Sequence, residues 1–581
     1  IKHGPFTTGG SLNYISTSIP MKQHNSVSLN VGSFGKTVLH AKSGNTMGKF
    51  GYLVELFNDQ TDGFKELDGG GDTGYTKLDF MTKLRYSMSD AHALELKYSM
   101  TDEISNETYL GLTEEDFNDN PLRRYRATAL DEFDGDHSQI TLSYAVKLSD
   151  NMSMAIVGYS NDFARNWYKL NKVNGAKLST ISKPTDAGFA DFYALMNAEN
   201  SADDAYRIKA NNREYYSSGV QAVLNLLIAG DHDVKVGLRV HNDEMDRFQW
   251  EDRYKMSNGK LVMTTQATPG SDSNRIDSAE ATALFVEDRF NVGSLTVTAG
   301  ARYEEITVMR DDWGKTDPDR SEVPSNREHT MDVVVPGLGL EYEINDHQTI
   351  SVGVHKGFAP PGPGTSGVTD KAVDPETSIN TEIGFKSNKG LNSLEFTYFN
   401  NSYDNLLGAD TAASGGGTDE LFNGGAVDIS GFELYVRRIL VDNGSINIPL
   451  EIAFTSTNSE FQESFDGFWG DVVEGDELPY LPETMFALNL GLNSGKLSTN
   501  FSLKKTAEMR IVAGSGDISD ENATDDITII DLGMRYALQD NITLSVGINN
   551  LMDDDGIVSR RPYGARPSMP RSFSLGVDYT F

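Results

Sequence analysis

The sequence predicts an all-β protein: a 22-stranded antiparallel transmembrane β-barrel with long extracellular loops. Three observations support this prediction. Segments that alternate apolar and polar residues recur along all 581 residues, as expected for strands with two different faces. Short turns rich in Gly, Asn, Asp or Ser join these segments in pairs. The chain also ends on such a segment, in which Phe573, Leu575 and Val577 share one face and Phe581 is the last residue.

The number of strands follows from the turns. Ten hairpins supply twenty strands, a segment at 27–33 adds one, and the terminal segment adds another. An even total is typical of single-chain bacterial barrels. Pairing of the last strand with the first would leave no open edge in lipid, where an unpaired backbone is not tolerated. The predicted turns are 44–48, 89–92, 149–152, 230–233, 291–294, 345–348, 387–392, 442–445, 493–496 and 539–541.

Longer connections alternate with these turns. Short turns at one rim and long loops at the other are typical of outer-membrane barrels, in which the long loops are extracellular. Loops of this kind are also where recognition is expected. The predicted loops are 59–76, 102–136, 162–212, 244–278, 310–330, 357–379, 403–426, 459–481, 509–525 and 551–571.

Composition excludes some classes of protein. The longest apolar runs, such as 220–228, are far shorter than the roughly 20 residues of a membrane helix. The mean hydropathy of -0.41 does not oppose a barrel, because only alternate residues of its strands face lipid. A formal charge of -35 opposes binding to nucleic acid. We interpret this acidity as a solvated surface.

Both ends of the chain carry family motifs. Asn549 to Phe581 reads NNLMDDDGIVSRRPYGARPSMPRSFSLGVDYTF and resembles the C-terminal signature of TonB-dependent outer-membrane receptors. His3-Gly4-Pro5 and the segment GGSLNYI at 9–15 resemble the end of that family's plug domain. The resemblance implies a C-terminal remnant of the plug at residues 1–22 and the barrel at 23–581. The chain has no initiating Met and no signal peptide, so we expect a form that lacks most of the plug and does not couple to TonB.

Three further segments resemble the ferric dicitrate receptors within this family. They are LGLTEEDFNDNP at 110–121, the N-terminal segment at 3–20, and AEATALFVED at 279–288. In such receptors, arginines that project into the lumen bind the anionic chelate. By local matching the resemblance assigns this role to Arg165, Arg213 and Arg275. The alternative is that all three are ordinary solvated arginines of loops or of the rim.

The resemblance implies an outer-membrane receptor that imports a ferric siderophore, citrate-like in chemistry, with energy from TonB. The expected partners are ferric citrate or another ferric siderophore, TonB, and outer-membrane lipid with lipopolysaccharide. The chelate is transported cargo, and no cofactor is expected. Alternatives are a passive porin, a surface adhesin or phage receptor without a plug, and a TonB-dependent receptor for cobalamin or an oligosaccharide. No nucleophile elbow, P-loop or dinucleotide motif is present, so we do not expect an enzyme.

Three other groups of residues invite an assignment. The cluster Arg560, Arg561 and Arg566 in the last loop would bind an anionic ligand, bind lipopolysaccharide phosphates, or close the loop against neighbouring acids. The acids at 553–555 and 311–312 lack the ligand spacing of a calcium loop, which favours solvated turns. His355 has none of the accompanying motifs of haem receptors, so we interpret it as a histidine at the end of a strand.

Overall fold

Twenty-two antiparallel strands form one closed ring. The computed structural model describes residues 4–228, 231–360, 375–409, 421–423, 425–467 and 470–581. Each strand pairs with its neighbours in sequence, and the last strand pairs with the first, with Ser26 opposite Thr580. The predicted fold class and the predicted closure are therefore confirmed. His3, part of the turn at 230–233, and parts of the loops at 357–379, 403–426 and 459–481 lie outside the described residues.

We number the ring strands in chain order. They are β1 His24–Gly32, β2 Thr37–Met47, β3 Phe50–Thr61, β4 Tyr75–Ser89, β5 His92–Ser105, β6 Glu132–Ser149, β7 Met152–Val173, β8 Tyr206–Ile228, β9 His232–Ser257, β10 Ser273–Val292, β11 Leu295–Asp312, β12 Ser325–Asn345, β13 Gln348–Ala359, β14 Glu376–Lys389, β15 Asn392–Asp404, β16 Val427–Asp442, β17 Ile446–Phe461, β18 Thr484–Ser494, β19 Leu497–Thr506, β20 Ile527–Gln539, β21 Ile542–Asn549 and β22 Ser572–Thr580.

An apolar band surrounds the outside of the ring. On β9, Leu238 and Val240 are 50% and 48% exposed, so even-numbered side chains of this strand face outward and odd-numbered ones face the lumen. Val220, Leu284 and Val334 continue the exposed band on neighbouring strands. An apolar belt on the outer face is what a membrane barrel presents to lipid. Among the described residues, no helix is long and apolar enough to cross a membrane.

The ring is much taller on one side. Strands β6–β12 contain 18 to 26 residues, whereas about 9–11 residues suffice to cross a membrane. We call β6–β12 the tall wall and the remaining strands, of 8 to 16 residues, the short wall. The predicted loops at 162–212, 244–278 and 310–330 were therefore too long, because strands occupy their ends. Two short strands, Ala176–Lys177 and Lys260–Thr265, fold back on β7 and β9.

The extracellular loops on the tall side pack into a hydrophobic core of their own. This loop core contains Leu112, Tyr125, Phe192, Met256 and Ile557, all nearly inaccessible to solvent. Two short helices contribute to it, α1 Glu114–Asp119 and α2 Phe189–Met196. Burial of apolar side chains stabilises these segments in water as it does in any soluble domain. The predicted loops are thus folded segments, held above the membrane by the tall wall.

Gly111 allows two distant loops to cross closely. Its N–H donates to the carbonyl of Tyr563 at 2.5 Å, and Leu112 N–H donates to Ala565 at 2.9 Å. A Cβ on Gly111 would lie 2.5 Å from the carbonyl oxygen of Gly564, so a side chain at this position would separate the loops. The segment singled out in the sequence therefore joins the first half of the chain to its last loop.

Acidic side chains form a belt across the outer face of the tall wall and of the adjacent strand β5, just above the apolar band. On the outer face each strand from β5 to β12 carries one exposed carboxylate at this level, and directly opposite pairs such as Asp102 and Asp136, or Glu305 and Asp332, occur within the set. This position places the carboxylates in water. We call them the acidic belt; its members are Asp102, Asp136, Asp162, Glu214, Glu244, Glu280, Glu305 and Asp332.

The N-terminal segment, residues 4–22, lies along the inside of the ring. Thr7 N–H donates to the carbonyl of Phe358 at 3.2 Å. Further along, the Lys83 ammonium donates to the carbonyl of Ser16 at 3.3 Å. The hydroxyl of Thr46 donates to the carbonyl of Pro20 at 2.8 Å. The segment therefore crosses the lumen from β13 to β2 before it enters β1.

Candidate functional site

Four arginines form a row across adjacent strands of the tall wall. Arg165 lies opposite Arg213, Arg213 opposite Arg247, and Arg247 opposite Arg275. Residues directly opposite each other on paired strands point to the same face of a sheet. On β9 that face is the lumen, because Leu238 and Val240 face outward. We call these four residues the arginine row.

The row contains all three arginines predicted from the sequence and adds Arg247, which local matching missed. The alternation of residues along β9 could have identified Arg247. Counting in twos along β9 from the outward Leu238 and Val240 places residue 247 on the lumen face. The register of β8 with β9 then brings it directly between Arg213 and Arg275.

The arginine row lies above the membrane. The outward neighbours of Arg213 and Arg247 are Glu214 and Asp246, which lie opposite each other on β8 and β9. Carboxylates at these positions are incompatible with contact to hydrocarbon. The row therefore occupies the part of the tall wall that projects beyond the apolar band, at the level of the extracellular loops.

Two of the four arginines are buried, and the row contacts a tyrosine and an aspartate. Arg213 and Arg247 are 6% and 4% exposed. Arg165 and Arg213 each donate to the hydroxyl of Tyr215 at 3.3 Å. Arg275 donates through Nε to a carboxylate oxygen of Asp277 at 3.2 Å. The Nη1 atom of Arg165 is buried and has no hydrogen-bond partner among the residues that the structure describes.

Burial, together with repulsion between neighbouring guanidiniums, lowers the pKa of three arginines in the row. Burial, reinforced by repulsion from Arg213 and Arg275, lowers the pKa of Arg247 to about 9, although the attraction of Asp277 opposes this shift. Burial also lowers the pKa of Arg213 and of Arg275. A bound anion would relieve the repulsion, and a guanidinium forks onto carboxylate oxygens through paired hydrogen bonds. The arrangement is thus suited to hold a ligand with several carboxylates.

A cavity of about 470 Å³ opens beside the row. Arg247 and Arg275 line it together with five lysines, whereas Asp272 and Asp312 are the carboxylates among its lining residues. This excess of positive charge contrasts with the net charge of -35 on the whole chain. We call this cavity the basic pocket; its lysines are Lys169, Lys172, Lys177, Lys209 and Lys315.

Lys169 is the most perturbed group in the basic pocket. Its ammonium lies 2.8 Å from the centre of the Tyr109 ring. Burial, followed by repulsion from Lys209, lowers the pKa of Lys169 to about 6. Lys209 is itself held by Asp272 at 2.7 Å. The pocket therefore gains positive charge at mildly acidic pH.

Two arginines of the cluster in the last loop, Arg560 and Arg561, contact residues of neighbouring loops. Arg560 forms an ion pair with Glu114 at 2.7 Å and donates to the carbonyl of Ala523 at 2.6 Å. The guanidinium of Arg561 lies 4.0 Å from the centre of the Tyr480 ring. Of the three interpretations open to the sequence, loop closure against a neighbouring acid is the one that accounts for Arg560.

The acidic turns cap backbone groups. Asp553 accepts from Arg571 N–H at 2.7 Å, and Asp554 accepts from Thr528 N–H at 2.9 Å. Within the described ranges no group of three or more His, Asp or Glu residues could hold a metal ion. His355 lies within β13, four residues before the end of the strand and paired with Gly337 and Asn380, rather than at the strand end that the sequence predicted.

Comparison with known proteins identifies the family. The model of the TonB dependent receptor-like β-barrel matches residues 97–551. A probable TonB-dependent siderophore receptor of Acinetobacter baumannii, PirA, is 22% identical over 57% of this chain and 48% of its own length. The metal-pseudopaline receptor CntO of Pseudomonas aeruginosa is 23% identical over 63% of this chain and 52% of its own. The chain thus spans about half the length of these relatives.

Solved structures share the fold. The ferric citrate transporter FecA in its unliganded form superposes with a TM-score of 0.80 at 17% identity, covering 100% of this chain and 82% of FecA. The siderophore receptor PiuA of Acinetobacter baumannii has a TM-score of 0.77 at 15% identity, with coverages of 100% and 84%. Since the family model matches well over half of the sequence and the ring has the same architecture, the chain belongs to the TonB-dependent receptors of the bacterial outer membrane.

Proposed function

We propose that the chain forms the barrel of a receptor that captures a ferric chelate rich in carboxylates, such as ferric citrate, and imports it with energy passed on by TonB. The observation that carries this proposal is the arginine row: Arg165, Arg213, Arg247 and Arg275 side by side in the lumen, next to the basic pocket. In this scheme the arginines bind the chelate, and the loops above them exclude water.

Charge selects the class of ligand. Two of the four guanidiniums are almost fully buried, where an ionic hydrogen bond is stronger than in water. Each charge-assisted hydrogen bond contributes about 1.5–3 kcal/mol. A neutral oligosaccharide would bring no negative charge to these guanidiniums, whereas a carboxylate can form charge-assisted, bidentate hydrogen bonds with them. An anionic chelate is the better fit.

The relatives support the same class. Proteins similar to this chain are named as a probable siderophore receptor and a metal-pseudopaline receptor, and the structure with a TM-score of 0.80 is a ferric citrate transporter. Membership in the TonB-dependent receptors also favours an active receptor over the passive porin, the adhesin and the phage receptor.

The proposal includes the two predicted domains, with residues 1–22 as the end of a plug and 23–581 as the barrel. Two features support it. Residues 4–22 lie inside the ring, and their Leu12, Tyr14 and Ile15 are at least 83% exposed there. Exposed apolar side chains suit contact with further protein. Sequencing upstream of Ile1 tests this part: codons for more plug residues support it, and an adjacent start codon contradicts it.

Binding of ferric citrate to the purified protein in detergent, measured by calorimetry, tests the site. Changing Arg165, Arg213, Arg247 or Arg275 singly to Gln should weaken binding by about tenfold each, because each change removes at least one ionic hydrogen bond. The matched control is Arg535→Gln on β20, whose side chain is 63% exposed and pairs with Asp578 at the surface.

Import is tested in cells that express the complete coding region. Uptake of radioactive iron as ferric citrate should require both this protein and TonB. If the four single variants bind ferric citrate as tightly as Arg535→Gln does, the site assignment is wrong. If the wild-type protein binds no ferric citrate but binds another ferric siderophore, the arginine variants tested with that ligand decide whether the row is the site.

A further inference from the structure

A second cavity, distinct from the basic pocket, lies at the extracellular rim of the short wall. It has a volume of about 770 Å³ and is lined by the outer ends of β1–β4, β21 and β22 and by segments of three extracellular loops. Thr108 lines this rim cavity, whereas the next residue, Tyr109, lines the basic pocket. The volume falls within the range of about 300–1,000 Å³ that is typical of sites for small organic molecules.

Positive charge dominates the polar lining of the rim cavity. Four cations line it, against one acid, Glu107. Two of these cations are already satisfied. Lys36 forms an ion pair with Asp59 at 2.5 Å. Arg124 is buried and donates to Thr128 Oγ1 at 3.0 Å and to the carbonyl of Thr128 at 2.7 Å. Lys65 and Arg566 are the other two.

Lys65 and Arg566 have donors to spare. In the described part of the chain, the Lys65 ammonium has neither a hydrogen bond nor an ion pair. Arg566 donates through Nη2 to the carbonyl of Thr108 at 3.0 Å, but its Nε is buried without a partner among the described residues. A buried donor without a partner, such as Arg566 Nε, is costly. The half-buried Lys65 ammonium lines the same cavity and has all its donors to spare, so the two groups together indicate a place for an acceptor.

Backbone pairing fixes these cations in position. Glu66–Leu67, the residues after Lys65, pair in parallel with Arg123–Arg124. The N–H of Asp68 donates to the carbonyl of Arg124 at 2.9 Å. Arg566 lies in a ribbon of its own, Arg566–Pro567 paired with Ile557–Ser559. The positive charges are therefore held next to one another by the fold.

An aromatic pair forms another part of the lining. The rings of Phe34 and Phe64 meet edge to face with their centres 6.2 Å apart. Phe34 has a φ of 61°, a conformation that is rare for a bulky residue. Its carbonyl accepts hydrogen bonds from Asp62 N–H at 2.9 Å and from Thr61 Oγ1 at 2.8 Å. These bonds hold an unfavourable backbone conformation that keeps the ring at the cavity.

We propose that the rim cavity binds a water-borne organic acid, with Lys65 and Arg566 holding its carboxylate and Phe34 and Phe64 covering its apolar body. Asn30 and Ser574 line the cavity from the inner face of the ring, and the outward-facing Val31 and Phe573 border it where the strands end at the rim. The site is separate from the arginine row and does not depend on the proposed transport of iron.

Phenylacetate and acetate are the probes, applied to the purified protein in detergent and measured by saturation-transfer NMR. Phenylacetate should bind, and acetate should bind at least about tenfold more weakly, because it lacks an apolar body to bury. Lys65→Met should weaken phenylacetate binding by about tenfold, which corresponds to the loss of one ionic hydrogen bond. Phe64→Ala should remove most of the advantage of phenylacetate over acetate.

Two controls locate the effect. Lys147→Met changes an exposed lysine in a turn and should leave phenylacetate binding unchanged. Arg247→Gln alters the basic pocket and should also leave it unchanged. The proposal is overturned if Lys65→Met binds phenylacetate like the wild type, if Arg247→Gln abolishes binding, or if the wild type binds phenylacetate no better than acetate. The NMR signal and the circular dichroism of the strands show that each variant is folded.

The pH profile gives a second readout. Burial, with repulsion from Arg566 and Arg124, lowers the pKa of Lys65 to about 7. The other titratable groups that line the cavity are Lys36, Tyr75 and Glu107. Phenylacetate keeps one negative charge between about pH 6 and pH 8, so its affinity should fall over this range as Lys65 loses its proton. In Lys65→Met this fall should disappear, and a fall that persists overturns the assignment to Lys65.

Discussion

The tall and short walls of this barrel differ in what their extra residues do. Both cross the membrane with the same alternation, but β7, β8 and β9 continue for 22 to 26 residues, about twice the length that a membrane requires. The added length carries the arginine row and supports the loop core. On the short wall the strands end near the membrane, and loops complete the rim. Strand length beyond the apolar band therefore marks where the arginine row lies.

The strongest test of this comparison removes two charges from the tall wall. The double variant Arg213→Gln, Arg247→Gln should bind ferric citrate at least about a hundredfold more weakly, since two buried ionic hydrogen bonds together contribute about 3–6 kcal/mol. Calorimetry measures the change. The short-wall variant Arg535→Gln should bind normally, and equal affinity in the two variants would refute the role of the tall wall.

Packing under the loops gives the next largest effect. Phe192 in α2 is 1% exposed within the loop core, so Phe192→Ala should cost about 3–5 kcal/mol of local stability. Proteases should then cut residues 174–205 much faster, while the circular dichroism of the strands stays the same. Phe573→Ala on the short wall removes an outward ring that is 54% exposed and should not speed cleavage.

Acidity should strengthen anion binding in the basic pocket. Since the pKa of Lys169 is lowered to about 6, its charge is fully present only below that value and is lost as the pH rises. Burial raises the pKa of the nearby Asp131 to about 6, so its negative charge appears over the same range and acts in the same direction. The affinity for sulfate should fall by up to about tenfold from about pH 5 to pH 8. Lys169→Met should reduce this dependence, and Lys147→Met should not.

A helix cap offers a smaller test of the loop core. The hydroxyl of Thr113 accepts from Asp116 N–H at 3.1 Å at the start of α1. Thr113→Ala should destabilise that end of the helix by about 1 kcal/mol, and Thr113→Ser should restore it. Hydrogen exchange at the amides of residues 114–117 measures the effect. If the amides exchange at the same rate in Thr113→Ala and Thr113→Ser, the hydroxyl does not stabilise the start of α1, and the loop crossing at Gly111 holds the helix in place.

The smallest effect on the ligand is expected from the last loop. Arg560→Met removes the ion pair with Glu114 and should make residues 551–571 easier to cleave. It should change the affinity for ferric citrate by less than about threefold, because Arg560 contacts neither the arginine row nor the lining of the basic pocket. A loss as large as that of Arg247→Gln would place the ligand under the last loop instead.

The sequence was sufficient to predict the ring and to single out three of the four arginines that lie in the row. Turns and period-two alternation predicted 22 strands, and family matching found three of the four arginines. The upper part of β9 was missed because Glu244 and Asp246 interrupt the apolar residues of its outer face. Residues 206–212 of β8 were assigned to a loop although Tyr206, Ile208 and Ala210 alternate with polar residues there. The loop core was missed because it joins residues as distant as Leu112 and Ala565, which no local pattern relates. Lys65 and Arg566, which line the rim cavity together, are also too distant in the sequence for a local pattern to relate them.

The acidic belt affects how two of these molecules approach each other in the membrane. When the tall walls of two molecules face each other, their acidic belts lie at the same height. Carboxylates such as Glu244 and Glu305 then meet where the two molecules would touch. Their repulsion reaches about 8 Å at physiological ionic strength and further in dilute medium. Neighbouring molecules are therefore kept away from the side that carries the arginine row, most strongly in fresh water, and close contacts occur on the opposite side.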